Sequence, residues 1–195
     1  MNTLLRPAIT MVVALTAVTG LTMPLAMTGV AQLVFPKQAD GSLIERDGKI
    51  VGSSLIGQAF TSERYFHSRP SATTEADPDN EGKTRAAPYN AAASAASQQG
   101  PTSESLLASV RERVEANGPA PMPADAATAS GSGLDPHISP ANAVRQIARV
   151  AAARGLPAER VQAAVAANTE GRELGLLGEP RVNVLRLNLA LDALR

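Results

Sequence analysis

Hydrophobic residues are concentrated near the start of the chain, where the run from Ile9 to Val34 contains no charged residue. As a helix with a rise of about 1.5 Å per residue, this run would extend about 39 Å, which exceeds a hydrocarbon layer of about 30 Å. The pattern therefore predicts a short N-terminus at residues 1–8, a transmembrane helix at residues 9–35 and a soluble domain at residues 36–195.

Small residues and a proline interrupt this apolar run. Thr16 and Gly20 are four positions apart, a spacing that lets another helix approach closely. Pro24 has no backbone N–H for the carbonyl of Gly20, so we expect a kink or a local loosening there. These three residues are predicted to pack against a partner helix, although Thr and Gly are also ordinary residues of membrane helices.

A cleaved signal peptide is the alternative to an anchor, because Gly29-Val30-Ala31 supplies small residues at cleavage-like spacing. The uncharged run is about twice as long as the hydrophobic region of a usual signal peptide, which favours an uncleaved anchor. Arg6 precedes the run, whereas Lys37 and Asp40 follow it. The positive-inside rule therefore predicts a cytoplasmic N-terminus and an extracytoplasmic domain.

After the anchor, Arg46-Asp47-Gly48 separates two short alternating runs and predicts a β-hairpin. The stretch from Ser54 to Phe60 is predicted to continue this sheet. Tyr65 to Ala72 is expected to form an ordered loop. A flexible surface loop is predicted near residues 73–100, because that stretch contains few large apolar side chains.

Helical spacing appears in the second half of the chain. Apolar residues recur at helical spacing between Ser103 and Gly118, between Ser139 and Gly155, and again after Pro157. The last segment fits two periods, and a strand over residues 181–185 passing into a short helix is predicted. Together these elements predict an α+β fold with one N-terminal transmembrane helix followed by a single mixed extracytoplasmic domain.

Composition narrows the classes of function. The chain has 18 basic and 18 acidic residues and a formal net charge of zero, so it has no electrostatic footprint for nucleic acid. Aromatic residues make up 3% of the chain and Trp is absent, so base-stacking surfaces are not expected. The absence of Cys excludes disulfides, thiol catalysis and thiolate metal sites.

Candidate catalytic chemistry is limited to one short segment. His67 and His137 are the two histidines, and Asp135-Pro136-His137 is the one local group of possible metal ligands, so no metal site is predicted. Ser132, Asp135 and His137 supply the residue types of a hydrolase triad. Residues so close together in a Gly- and Pro-containing turn do not easily align, and Ser130-Gly131-Ser132-Gly133 does not match the nucleophile-elbow pattern. A structured turn is favoured, with a membrane-tethered or secreted Ser/His hydrolase as the alternative function.

Several ordered motifs make the sequence recognisable. They are Gly52 to Gln58, Tyr65 to Ala72, Tyr89-Asn90, Thr128 to Pro140, Gln146, Arg149 to Ala151, Leu177 to Leu185 and Leu187 to Asp192. In this order, and with the N-terminal anchor, they resemble the C subunit of the bacterial Kdp potassium-transporting P-type ATPase over essentially the whole chain. The sequence departs from the family at Ser94-Ala95-Ala96-Ser97, where the family usually has a Gly-rich stretch. A left-handed turn costs more with alanine than with glycine, so the conformation of this loop is expected to differ from that of the family.

The resemblance implies a single-pass protein of the cell (inner) membrane that contacts membrane lipid. Its implied partners are a channel-like potassium-binding subunit and a P-type ATPase subunit that carries the phosphorylated aspartate. The chain itself would be a non-catalytic accessory subunit of a high-affinity potassium uptake complex, which it assembles or stabilises. The family's usual role is that of a catalytic chaperone that raises the ATP affinity of the ATPase subunit.

ATP is implied through the partner subunit, and no cofactor is expected to bind this chain firmly. An extracytoplasmic domain would lie across the bilayer from ATP, so we expect an indirect effect in which the subunit favours one conformation of the pump. We also expect a rigid turn with an exposed surface for assembly, here called the docking turn. Its residues are Ser130, Gly131, Ser132, Gly133, Leu134, Asp135, Pro136 and His137.

Overall fold

The computed structural model describes residues 2–118 and 121–194, without the side chain of Asn2. These residues divide into two compact units, one up to Ser53 and the other from Ser54 onward. The first unit begins with a long helix made of α1 (Asn2–Thr16), a π-helical segment (Ala17–Thr22) and α2 (Met23–Val34). The stretch Thr3–Val34 is long and apolar enough to cross a membrane, and its most apolar part has no residue buried within the described structure.

The π-helical segment lies directly before Pro24. Its end is marked by the backbone N–H of Met23, which donates to the carbonyl of Val18 five residues back. Pro24 cannot donate to the carbonyl of Gly20, and its ring crowds that carbonyl, so the helix widens there. The hydroxyl of Thr19 donates to the Leu15 carbonyl at 2.7 Å, which gives one carbonyl next to the widened turn an additional partner. The predicted local loosening is therefore confirmed.

A short helix and a hairpin complete the first unit: α3 (Pro36–Ala39), β1 (Leu43–Arg46) and β2 (Lys49–Ser53). Asp47 and Gly48 both have positive φ, 53° and 73°, as a two-residue hairpin turn that matches strand twist requires. The predicted hairpin is confirmed. The predicted extension of the sheet over Ser54–Phe60 is wrong, because the side-chain amide of Asn183 takes the carbonyl of Ser54 at 2.8 Å, where a neighbouring strand would otherwise pair.

The second unit is called the α+β unit below, and its core consists of three helices and a small antiparallel sheet. The helices are α6 (Pro140–Arg154), α7 (Ala158–Ala167) and α8 (Val184–Ala193), and the sheet has the order β5 (His137–Ile138), β7 (Arg181–Asn183) and β6 (Thr169–Glu170). Ser139 caps α6 as predicted, since its hydroxyl accepts from the N–H of Asn142, and Gly155 ends the helix in a left-handed conformation.

Small apolar side chains fill this core. Val150, Val161, Val182, Leu187 and Leu191 are fully buried, and Phe66 from the first half of the unit is buried among them. The alanines of α6 and α7 let these helices pack closely without large apolar faces. In the last segment the predicted strand-to-helix transition is confirmed, but the helix already begins at Val184 because Asn183 caps it through the N–H of Arg186.

The remaining elements are β3 (Thr74–Ala76), β4 (Thr84–Ala86), α4 (Glu104–Asn117) and α5 (Ala124–Ala127). The strands β3 and β4 form a hairpin inside the predicted flexible loop, and Thr73 before them is buried. The mobility of this loop stays a prediction. Ala95 and Ala96 are not among the residues with positive φ, so alanine causes no left-handed strain there. Gln98 carries the positive φ of this stretch instead, 52°.

Candidate functional site

The docking turn lies between the helical core and the segment 69–95, which contains the hairpin of β3 and β4. The N–H of Ser130 donates to the carbonyl of Pro70, and the hydroxyl of Ser71 donates to the carbonyl of Gly133 at 2.7 Å. The N–H of Ala95 donates to the carbonyl of Ser132 at 3.0 Å. These bonds tie two segments that are distant in the sequence, at residues 70–71 and at Ala95, to one turn.

Exposure along this turn is uneven. Gly131 is exposed, whereas Ser130, Gly133 and Pro136 are buried and the other members are intermediate. Most of the turn is therefore at least partly covered, and Gly131 is its exposed member. The rigidity of the turn and its docking role stay predictions.

Gly133 is the tightest position of the turn. Its φ is +68°, and an added Cβ would lie 2.6 Å from Cγ2 of Thr73 and 2.7 Å from the carbonyl oxygen of Ala95. Real Cβ atoms do not approach other atoms this closely, and a side chain disfavours positive φ. Glycine is thus required here by the fold of the unit itself.

The carboxylate of Asp135 forms a salt bridge and a backbone hydrogen bond that hold the turn. Its Oδ2 accepts from Nη1 of Arg69 at 2.9 Å, and its Oδ1 accepts from the backbone N–H of His137 at 2.9 Å. Burial on its own would raise the pKa of Asp135, but the hydrogen bonds from His137 and Arg69 and the charge of Arg69 outweigh it and lower the pKa to about 2. The carboxylate therefore stays ionised and holds the turn to the segment that carries Arg69.

Tyr89 lies beside this ion pair. Its hydroxyl donates to the backbone carbonyl of Arg69, and burial raises the pKa of Tyr89 to about 12. The ring lies against Gly57, where an added Cβ would be 2.5 Å from a ring carbon and 2.8 Å from the carbonyl oxygen of Asp135. Four motifs of the sequence resemblance thus meet around one salt bridge.

The hydrolase residues do not form a triad. The hydroxyl of Ser132 accepts from the N–H of Leu134 at 3.1 Å, and no hydrogen bond joins Ser132 to His137 among the described residues. Asp135 lies 3.5 Å from Nδ1 of His137 but is already engaged by Arg69. Each side chain therefore has a structural partner within the turn.

Two buried amide side chains, which we call the amide clamp, belong to motifs of the resemblance but are not among the predicted site residues. Asn188 on α8 accepts from the N–H of Phe66 at 2.8 Å and donates to its carbonyl at 3.0 Å. Gln146 on α6 does the same for His67, at 2.8 and 3.1 Å. Two neighbouring peptide units of an irregular loop are thereby bonded as a strand would bond them. Amides on the apolar faces of helices are the sequence signal that could have revealed the clamp.

A polar pocket of about 430 Å³ lies beside the clamp and includes His67, Arg145, Gln146 and Arg149 in its lining. Arg149 is engaged with the carbonyls of Glu63 and Tyr65 and with Gln146. Arg145 donates to the carbonyl of Asn117, and its buried Nε has no partner among the described residues. Burial, and then the charge of Arg149, lower the pKa of His67, so this ring is neutral at neutral pH.

The residues predicted to contact a partner helix lie on the long apolar helix. Thr16 and Gly20 are neighbours, since a Cβ on Gly20 would lie 3.9 Å from Cγ2 of Thr16, and Gly20 lies within the π-helical segment. Both residues and Pro24 are exposed within the described structure. Their packing against another helix stays a prediction. Among the described residues, no group of three or more His, Asp or Glu side chains could hold a metal ion.

An exposed apolar helix long enough to cross a membrane, joined to a small α+β unit, is typical of a membrane-associated protein. A sequence model of the family described as "KdpC: K+-transporting ATPase, c chain" matches residues 5–193. The chain belongs to the KdpC family.

Three curated relatives agree with this assignment, and each is named "Potassium-transporting ATPase KdpC subunit". The relative from Methylobacterium nodulans is 60% identical over 97% of this chain and 96% of its own length. The one from Methylorubrum extorquens is 61% identical over 96% of this chain and 95% of its own. The one from Rhodopseudomonas palustris is 57% identical over 97% of each. The resemblance noted from the motifs is therefore confirmed.

Proposed function

We propose that this chain is a non-catalytic accessory subunit of an ATP-driven, high-affinity potassium uptake complex. The observation that carries this proposal is the match of one family over residues 5–193, which includes both the apolar helix and the α+β unit. Its partners are a channel-like potassium-binding subunit and a P-type ATPase subunit, and its single helix also contacts membrane lipid.

The apolar helix contributes the membrane part of this function. Thr16 has a small side chain and Gly20 has none, so together they form a small-residue face on the helix. The widened turn before Pro24 changes which residues follow on that face. Because the described residues leave this helix exposed, a partner helix is the best candidate to pack on it. Replacing Gly20 by Leu is expected to reduce the recovery of the complex, whereas Gly29→Leu, nine positions further along the same helix, is the matched control.

The α+β unit is proposed to lie outside the cytoplasm, with the N-terminus inside. The chain has no Cys, so one introduced Cys is a clean reporter. Ala108 is exposed on α4 and suits this purpose. Ala108→Cys should react with a membrane-impermeant maleimide in cells whose outer barrier alone is permeable. Labelling only after the cytoplasmic membrane is broken would refute this orientation.

ATP affinity is proposed to be raised indirectly, by stabilising one conformation of the pump. The polar pocket supports this view because its residues do not suit firm binding of a triphosphate. Gln146 and Arg149 are occupied by the loop they hold, and the lowered pKa of His67 favours the neutral ring. Arg145 is a further cation of the lining, and it donates to the carbonyl of Asn117.

The experiment compares the complex with and without this subunit. Purification in mild detergent through a tag on this chain should recover two larger membrane subunits, and its removal should raise the KM for ATP of potassium-stimulated hydrolysis. The full-length chain alone should show no saturable ATP binding at submillimolar concentration. Such binding, if lost in Arg145→Ala and kept in the exposed control Arg160→Ala, would instead establish direct contact with nucleotide. Recovery of the chain without larger subunits would refute the accessory role.

A further inference from the structure

The loop that joins β6 to β7, residues 171–180, has an apolar tip that the described structure leaves uncovered. Leu174 is 90% exposed, Leu176 is 80% exposed and Leu177 is 61% exposed. We call this segment the leucine loop. Single exposed leucines are ordinary, but three within four positions form an apolar patch of the kind that marks contact sites.

The backbone of the leucine loop is fixed by its own hydrogen bonds. Glu173 and Leu177 exchange N–H to carbonyl bonds in both directions, each at 2.9 Å. Leu174 has a positive φ of 54°, which a leucine rarely adopts, and Gly175 follows with 75°. The loop therefore holds a leucine in a strained and exposed conformation, and neither feature stabilises the unit that carries it.

Ion pairs surround the apolar tip. Arg172 forms two bonds with the carboxylate of Glu179, at 2.8 and 2.7 Å. Arg181 contacts both Glu173 and Glu170, at 3.0 and 3.1 Å. The charges of this rim are paired within the loop and its strands, so the tip does not need a charged partner. An apolar centre within a polar rim of paired charges is typical of a protein interface.

The charge of the rim and the area of the apolar tip indicate what kind of partner covers the leucine loop. The rim has no excess of cations and the tip has no aromatic residue, so the features that attract a chain to anionic lipid are missing. Three leucines expose on the order of 400 Å², about half of what each side of an independent interface buries, which is too little for a stable pair of copies. A patch of this size suffices when a second contact, here the membrane helix, already holds the chain near its partner.

We infer that the leucine loop inserts into an apolar depression on the extramembrane face of a larger membrane subunit of the same complex. This inference rests on the proposed function, which supplies the partner. The helix and the loop then act as two linked contacts, and the loss of the loop contact weakens the assembly without unfolding either unit.

The test uses the full-length chain expressed with the other subunits of the complex. The triple variant Leu174→Ser, Leu176→Ser, Leu177→Ser should lower recovery of the larger subunits at least about tenfold, equivalent to about 1.4 kcal/mol. Val144→Ser and Leu107→Ser, which alter exposed apolar residues on α6 and α4, should change recovery less than twofold. The unfolding midpoint of the triple variant should equal that of the unaltered chain.

A photoreactive amino acid at position 176 identifies the occupant. A covalent adduct with one larger subunit is expected. An adduct with lipid, or a dimer of this chain, would overturn the inference. If the unaltered chain recovers the larger subunits and the triple variant does so equally, the leucine loop is not a contact and the proposed function stands. If the unaltered chain recovers none, the proposed function fails as well.

Discussion

Replacing Gly133 by Ala should destabilise the α+β unit strongly, although it adds one methyl group. The change introduces two separate costs. A side chain in the left-handed region costs about 1–2 kcal/mol. The new Cβ would also lie 2.6 Å from Thr73 and 2.7 Å from the carbonyl oxygen of Ala95, and an overpacked site typically costs about 1–3 kcal/mol.

Together these costs amount to about 2–5 kcal/mol, because one neighbour is a backbone carbonyl that cannot rotate away. A domain of this size has a total stability of about 5–15 kcal/mol, so the variant loses a large share of it. Gly131→Ala is the matched control two positions away. Nothing lies within 4 Å of a Cβ at Gly131, and its φ is not positive, so a change within about 0.5 kcal/mol is expected.

The assay is urea unfolding of the full-length chain in detergent. The chain has no Trp and both tyrosines, Tyr65 and Tyr89, lie in the α+β unit, so tyrosine fluorescence follows that unit alone. Equal unfolding free energies for Gly131→Ala and Gly133→Ala would refute the reasoning. The result also shows whether loss of the complex in a Gly133 variant reflects a lost contact or an unfolded unit, because an unfolded unit binds no partner.

Three further predictions concern the ion pair, the amide clamp and the widened turn. The pKa of Asp135 is lowered to about 2 from 3.8, so its contribution to stability is present above pH 3.8 and is lost as the pH falls toward 2; urea titrations of Asp135→Asn should lack this pH-dependent part. Gln146→Ala should cost about 2 kcal/mol or more, because it leaves the N–H and carbonyl of His67 without partners, and a loss no larger than that of the exposed control Gln162→Ala would contradict the clamp. Pro24→Ala restores a backbone donor and should convert the π-helical segment to α-helix, which rotates the preceding residues by about 100°. The pattern of cysteine cross-links from positions 9–20 to partner helices should therefore change. An unchanged pattern would argue that the π-helical segment does not set the orientation of these residues.

Sequence patterns located the regular elements well where a local signal exists. Ser139 and Gly155 mark both ends of α6 because capping depends on residues next to the helix. The turn at Asp47 and Gly48 was predictable for the same reason, since its positive φ values favour those residue types. The apolar helix and the effect of Pro24 on it also follow from composition and from the chemistry of proline.

The irregular segments could not be predicted, because distant residues hold them. The predicted sheet over Ser54–Phe60 is absent since Asn183 takes the carbonyl of Ser54 from 129 positions away. Gln146 and Asn188 look like ordinary polar residues of helices until the loop that they bond is placed beside them. The family resemblance pointed to these residues, but only the contacts explain why amides of that length occupy those positions.

The amide clamp also determines when the α+β unit can become complete during synthesis. Asn188 bonds Phe66 across 122 positions, and at about 5–20 residues per second a ribosome needs on the order of 10 s to make the chain between them. During that interval Phe66 has no α8 to bond, whereas Gln146 on α6 is made earlier and is present to bond His67. A chain that stops before Asn188 therefore leaves the N–H and the carbonyl of Phe66 without this partner.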